Sequence, residues 1–342
     1  MMTLKPAKDL ALLCLWLLLL PTCKSVQAQF TYTTNADNTL TITGYTGRDS
    51  AVTIPTNINE LMVTGIGMGA FIDNANITSV TIPVTVTSPG YAAFQGCGML
   101  TNVIMYGLTS IADYMFSDCT HLTNAPIPPS VTTIGYEAFY DTAFATISIP
   151  SNVTTIGNGA FAGCTAVTNV LLYGVVALGY DAFDYCTSLR TVTISATIGE
   201  IIGNPFDDCP RLTSVFFLGN FPDDVSYIPG SGWPFGDNPG LTVFCMPGTS
   251  NWSFLTEHTG IIPVLWNPVI QTGKGTFGVQ NNQFGFDIKG TAGIPIVVEG
   301  CTNLANPVWT ALTNVTLTNG LFHFREPTQA NSAGRFYRIG SP

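Results

Sequence analysis

Apolar residues recur along this chain with two superposed periods. At long range a phenylalanine returns at Phe71, Phe94, Phe116, Phe139, Phe161, Phe183, Phe206 and Phe235, with spacings of 23, 22, 23, 22, 22, 23 and finally 29 residues. A fixed interval of this size is the signature of a solenoid, in which each unit buries its apolar face only against its neighbours. At short range the sixth residue after the phenylalanine is Ile77, Leu100, Leu122, Val167, Leu189, Leu212 or Leu241, and the ninth is Val80, Val103, Val170, Val192 or Val215. Before it, at five and eight residues, come pairs such as Ile134 with Val131 and Ile156 with Val153. Apolar positions at period two within short segments predict two short strands per unit, joined by a tight turn that holds the Ala-Phe pair. Gly135, Gly157 and Gly179 are expected to bend the chain into that turn, and Pro83, Pro128 and Pro150 to end the first strand. The unit after Phe139 is one residue short, and Phe144, Ile147 and Ile149 take its inward positions.

The flanks read differently. Residues 30–62 alternate apolar and polar positions around Asn-Ala-Asp-Asn and Gly-Tyr-Thr-Gly, which predicts hairpin strands. The N-terminal hairpin, 29–51, would cap the open end of the stack, and the repeats would fill 52–247. Residues 248–268 lose the period and read as a C-terminal cap and linker. Alternating runs in 269–342, separated by Gly, Asn and Pro, predict a small antiparallel β-sandwich.

The stretch 153–164, VTTIGNGAFAGC, and its variants resemble the leucine-rich repeats of bacterial surface proteins of the BspA type, whose pattern is roughly VTxIGxxAFxxCxxLTxVxIP. The resemblance covers about 52–247. It implies a mainly β fold, a curved leucine-rich-repeat solenoid of 22–23-residue units on secreted or surface-displayed proteins, linked in some members to adhesion. It weakens at Asn204-Pro205-Phe206 and Pro234-Phe235, where proline replaces alanine, and in the insertion 219–233. The ending, with CTNLANPVWTAL and GRFYRI, resembles a C-terminal module recurrent in secreted proteins of repeat-rich bacteria, which assigns no activity.

Charge narrows the partners. Only 9% of residues are charged, the formal net charge is −10, and after residue 28 the basic side chains are Arg48, Arg190, Arg211, Lys274, Lys289, Arg325, Arg335 and Arg338. Such a chain has no basic stripe with which to neutralise phosphates, which argues against nucleic acid. Lys5 and Lys8, the apolar run 10–20 and the small residues near Ala28 read as a secretory signal, cleaved after Ala28. The run is too short for the roughly 20 residues a membrane helix needs, so the mature chain is expected to carry no transmembrane span. Leu20-Pro21-Thr22-Cys23 loosely resembles a lipoprotein box, so lipid anchoring at Cys23 is the lesser alternative.

Candidate chemistry is sparse. Cys97, Cys119, Cys164, Cys186 and Cys209 all fall three residues after their phenylalanine and form a ladder. Stacked side chains point the same way, no CxxC or nearby His completes a zinc set, and Asn74, Thr142 and Asn238 fill equivalent positions. These thiols are therefore expected to be structural. His121, His258 and His323 stand beside no Ser or Cys in a recognisable catalytic motif, and Asp207-Asp208 and Asp223-Asp224 read as turn residues. No catalytic residue, cofactor or metal follows. The stronger signal is on the first strand of each unit, where positions eight, ten and twelve after the phenylalanine should face away from the core. Ile104 with Tyr106, Asn169 with Leu171 and Tyr173, and Phe216 with Leu218 are expected to form an exposed contact face for an extracellular protein or glycan. The open alternatives are that a loop, the C-terminal module or a second copy covers this face. A self-associating surface or matrix protein is the corresponding alternative function, and a hydrolase site in the C-terminal domain is a remote third.

Overall fold

The structure is a computed structural model that describes residues 29–227, 233–235, 238, 240–273, 275–327 and 334–341; the expected signal segment lies outside them. Each repeat makes one coil, and neighbouring coils pair in parallel. The first strands build one sheet in two parts. Ala51–Thr53, Ser79–Ile82 and Asn102–Met105 form the first part; Asn169–Leu172, Thr191–Ile194, Ser214–Phe217, Thr242–Cys245 and Val264–Leu265 form the second. The second strands, from Ser110–Ile111 through Thr133–Ile134, Thr155–Ile156, Ala177–Leu178 and Glu200–Ile202 to Asp224–Ser226, build an uninterrupted sheet.

The Ala-Phe turn is itself a ladder. The amide of Phe94 donates to Met115 O at 2.9 Å, and those of Phe116, Phe139 and Phe161 donate to Ala138, Ala160 and Ala182 O at 2.8 Å. Inside it the eight phenylalanines stack with ring centroids 4.6–5.6 Å apart and interplanar angles of 8–14°. Each offset pair is worth about 0.5–1.5 kcal/mol beyond the area it buries. The stack is closed at one end by Phe30 and Tyr45 against Phe71, and at the other by Phe217 edge-on to Phe235.

The turn's bend does not come from the glycines that the sequence suggests. Left-handed residues sit two before and two after the phenylalanine: Glu137 (φ 45°) and Asp141 (φ 53°) around Phe139, Gly159 (φ 62°) and Gly163 (φ 75°) around Phe161. Gly157 and Gly179 serve close approach instead. A Cβ on Gly157 would lie 2.8 Å from the carbonyl carbon of Gly135, and one on Gly179 2.6 Å from the amide of Asn158. The coils can stack at this corner only where no side chain intervenes.

Phe30–Thr34 and Leu40–Tyr45 form an antiparallel hairpin, and Leu61–Ile66 pairs in parallel with its second strand. At the far end the helix Trp252–Thr259 lays Trp252 against Phe217 and Phe221. Beyond it are two antiparallel sheets. One joins Val269–Gln271, Phe277–Gln280, Gln283–Lys289 and Leu321–Pro327; the other joins Thr310–Thr316, Pro295–Cys301 and Phe336–Gly340. Their core of Phe286, Ile288, Ile296, Val298, Leu317 and Phe324 is continuous with Phe216, Phe244 and Trp266 of the solenoid's final coils. Trp266 Nε1 donates to Pro295 O at 2.9 Å, and Asn267 Oδ1 accepts from the Thr291 amide and hydroxyl at 2.8 Å. The β-sandwich is therefore docked on the sheet face.

Candidate functional site

One row of outward side chains crosses the solenoid face. Strand register aligns Leu171 with Thr193, Phe216 and Phe244, and, in the first part of the sheet, Thr81 with Ile104. Along this row exposure is not uniform. Ile104 (37%), Tyr106 (59%), Leu171 (42%) and Tyr173 (49%) are exposed, as is Asn169, whose Oδ1 accepts from Thr191 Oγ1 at 2.6 Å. Phe216 is only 1% exposed: its ring stacks on Phe244 at 4.6 Å and meets Trp266 edge-on at 6.1 Å. Leu218 is half-buried. The expectation that Phe216 belongs to an open contact face is corrected by the docked C-terminal module, which uses this ring as part of its own core. Thr193 is buried at the same boundary, its hydroxyl 3.4 Å from that of Ser341.

Between the exposed groups Ile104/Tyr106 and Leu171/Tyr173 the sheet is open. The coil at 124–127 keeps a single bridge, Asn102 to Asn124, and the coil at 146–149 forms no strand. Neither 125–127 nor 144–149 exchanges a backbone hydrogen bond with an adjoining coil. Two features of the sequence account for this. Pro126 has no N–H to donate, and the unit after Phe139 is one residue short, so its inward residues arrive out of step with those of its neighbours. Consequently Ile127 and Ile147 are half-buried, where Val103 and Val170 in the flanking coils are sealed. A cleft of about 160 Å³ results, lined by Thr123, Asn124, Ala125, Pro126, Ile127, Phe144, Thr146, Ile147 and Ser148 and floored by Phe161 of the core stack. It carries no charged side chain. The sequence held its signal in Pro126 and the short unit, but neither alone says that a gap opens.

The cysteine ladder has a different role. The thiols of Cys97, Cys119, Cys164, Cys186 and Cys209 donate to the carbonyl oxygens of Phe71, Phe94, Phe139, Phe161 and Phe183, one coil back, at 3.0–3.5 Å. Asn238 Nδ2 does the same to Phe206 O at 3.0 Å. Each thus satisfies a buried carbonyl. Burial pushes the Cys97 thiol up to about 11 and those of Cys164 and Cys209 to about 12, so none is a thiolate at neutral pH.

The other candidates are in separate places. His121 Nδ1 bonds Gly98 O at 2.6 Å, His258 Nδ1 bonds Phe254 O at 2.8 Å between the Phe254 and Trp233 rings, and His323 Nδ1 bonds Asp287 Oδ1 at 2.8 Å. Asp207 accepts from Asn204, and Asp223 from Asn251. Burial, followed by repulsion from Asp181, raises Asp184 to about 7 on the Ala-Phe edge. Among the described residues no cluster of three or more His, Cys, Asp or Glu side chains is arranged to hold a metal ion, and no helix is long and apolar enough to cross a membrane.

A known repeat family shares this pattern. The BspA type leucine rich repeat region matches residues 49–168 and 166–232, in six copies. Among solved structures, a leucine-rich repeat protein from Bacteroides ovatus is 25% identical with a TM-score of 0.52, the match covering 64% of this chain and 63% of that one. A leucine rich repeat protein from T. pallidum is 27% identical with a TM-score of 0.43, over 58% of this chain and 83% of that one. A leucine rich cell surface protein from Faecalibacterium prausnitzii is 22% identical with a TM-score of 0.27, over 69% and 97%. No curated protein matches the chain. With its repeats matched over more than half its length and its coils stacked on one phenylalanine column, the chain belongs to the BspA type leucine-rich repeat family.

Proposed function

We propose that this is an exported, non-enzymatic recognition protein that binds an extracellular protein or glycan through the uncovered part of its solenoid sheet, from Ile104 and Tyr106 across the cleft to Asn169, Leu171 and Tyr173. Export rests on the signal-like residues 1–28. One observation carries the reading: in a sheet otherwise paired coil to coil, two coils are open, and exposed apolar and aromatic side chains border the opening on both sides. Isolated surface apolar residues are ordinary, but a contiguous patch around a concavity is what interfaces use. Stiffness supports the same role, because a stacked solenoid holds these side chains in place and binding then costs little ordering entropy. The test is capture of extracellular proteins and polysaccharides by residues 29–342, run beside a Tyr106→Ser, Leu171→Ser double variant. Capture by the native protein that the variant loses supports the proposal; equal capture by both overturns it.

A further inference from the structure

Resting on that reading, we infer that the cleft's occupant is an extended, uncharged peptide segment of a partner protein, which pairs its backbone with the open coils and inserts one aliphatic or aromatic side chain toward Phe161. Three observations on the face select this chemistry. First, the unmade hydrogen bonds are backbone bonds: in 144–149 six successive residues leave amide and carbonyl without a partner coil, and 125–127 do so opposite them, with only Pro126 lacking the donor. Unpaired main-chain donors and acceptors are matched by another extended main chain, the basis of strand addition at sheet edges. Second, the cleft's volume of about 160 Å³ is the size of one side chain, and its floor of Phe144 and Phe161 is apolar; an apolar cavity of about 150 Å³ holds a benzene ring. Third, one coil beyond the cleft, past Asn169–Leu172, the same face already makes an interface. There the solenoid's Phe216 and Trp266 share an apolar core with the C-terminal β-module, and the Trp266 indole donates to the strand carbonyl of Pro295, so this face already holds β-structure through apolar packing plus a hydrogen bond to its main chain. An uncharged lining leaves a charged residue at the anchor position unpaired, which selects against it.

The experiment pans a phage-displayed library of random dodecapeptides against immobilised residues 29–342, with a glycan array probed in parallel. Enriched peptides are resynthesised with single backbone N-methyl groups and titrated against the native protein, Thr146→Lys and Ile147→Asp. Thr146 is exposed at the rim, so its variant keeps the test valid where Ile147→Asp fails to fold. The expected result is enrichment of Leu, Ile, Val or Phe within an uncharged β-prone stretch, with affinity falling roughly tenfold or more on N-methylation at alternate residues and with Thr146→Lys. No enriched peptide, or binding indifferent to N-methylation, overturns the inference. Glycan binding that Thr146→Lys abolishes overturns the peptide occupant while leaving recognition by this face standing. If peptides and glycans alike bind the Tyr106→Ser, Leu171→Ser protein unchanged, the functional proposal itself fails.

Discussion

Phe216 and Leu171 occupy the same outward row of the same sheet, and truncating each gives a direct measure of what covers that row. Leu171 is 42% exposed, whereas Phe216 is 1% exposed, stacked on Phe244 and edge-on to Trp266 within the apolar cluster shared with the C-terminal module. Phe216→Ala removes a ring at the junction of two folded bodies and leaves a cavity lined by aromatic carbon. Buried Phe-to-Ala changes cost about 3–5 kcal/mol. At about 1.4 kcal/mol per tenfold, the docked state of the module weakens by about two to three and a half orders of magnitude relative to the undocked one. Leu171→Ala, at a position with no covering side chain, is expected to cost no more than about 0.5 kcal/mol. Scanning calorimetry reads the difference as a separate, earlier transition for the module in Phe216→Ala alone. Limited proteolysis reads it as new cleavage near Asn267 and Pro268. A Phe216→Ala protein with one transition at the native midpoint and no new cleavage would refute the docking argument, as would a Leu171→Ala protein that melts like it.

Three further outcomes follow from the packing. Gly157→Ala places a Cβ 2.8 Å from backbone carbon of the preceding coil, so the coils must separate, and a loss of about 1–3 kcal/mol is expected in urea unfolding. The ladder cysteines, buried and bonded to carbonyls with thiols held up by burial, should resist iodoacetamide at pH 8 in the native protein and react fully in denaturant, as counted by intact mass. Stability should depend on pH in two opposed windows. Asp184 has a folded value of about 7 against an ordinary 3.8, so the folded state binds the extra proton between them, and the melting temperature should rise as pH falls from 8 toward 5; Asp184→Asn flattens that rise. For Asp287 burial works upward, but hydrogen bonds from His323 and Arg325 outweigh it and hold the carboxyl below 3.8, so its contribution is present above that pH and is lost as pH falls further.

The repeat was legible because its causes are local. Spacing of Phe, Leu, Val and Ile sets which side chains meet within a coil, and identical coils stacked in register must bring Phe94 onto Phe116 and Cys119 onto the carbonyl of Phe94. The hairpin at 30–45 followed in the same way from alternation and an Asn-rich turn. Three matters were decided only by tertiary structure. Whether Gly157 serves as a bend or as a point of contact depends on a neighbouring coil that the unit's own residues do not describe. The cleft exists because a one-residue deficit after Phe139 and the missing donor of Pro126 fall on adjacent coils, where each denies the other a partner. Leu171 and Phe216, alike in pattern, part company because a domain some fifty residues further along the chain folds back onto one and not the other. Period and alternation decide which face of a strand leaves the core; only long-range packing decides whether water or protein meets it there.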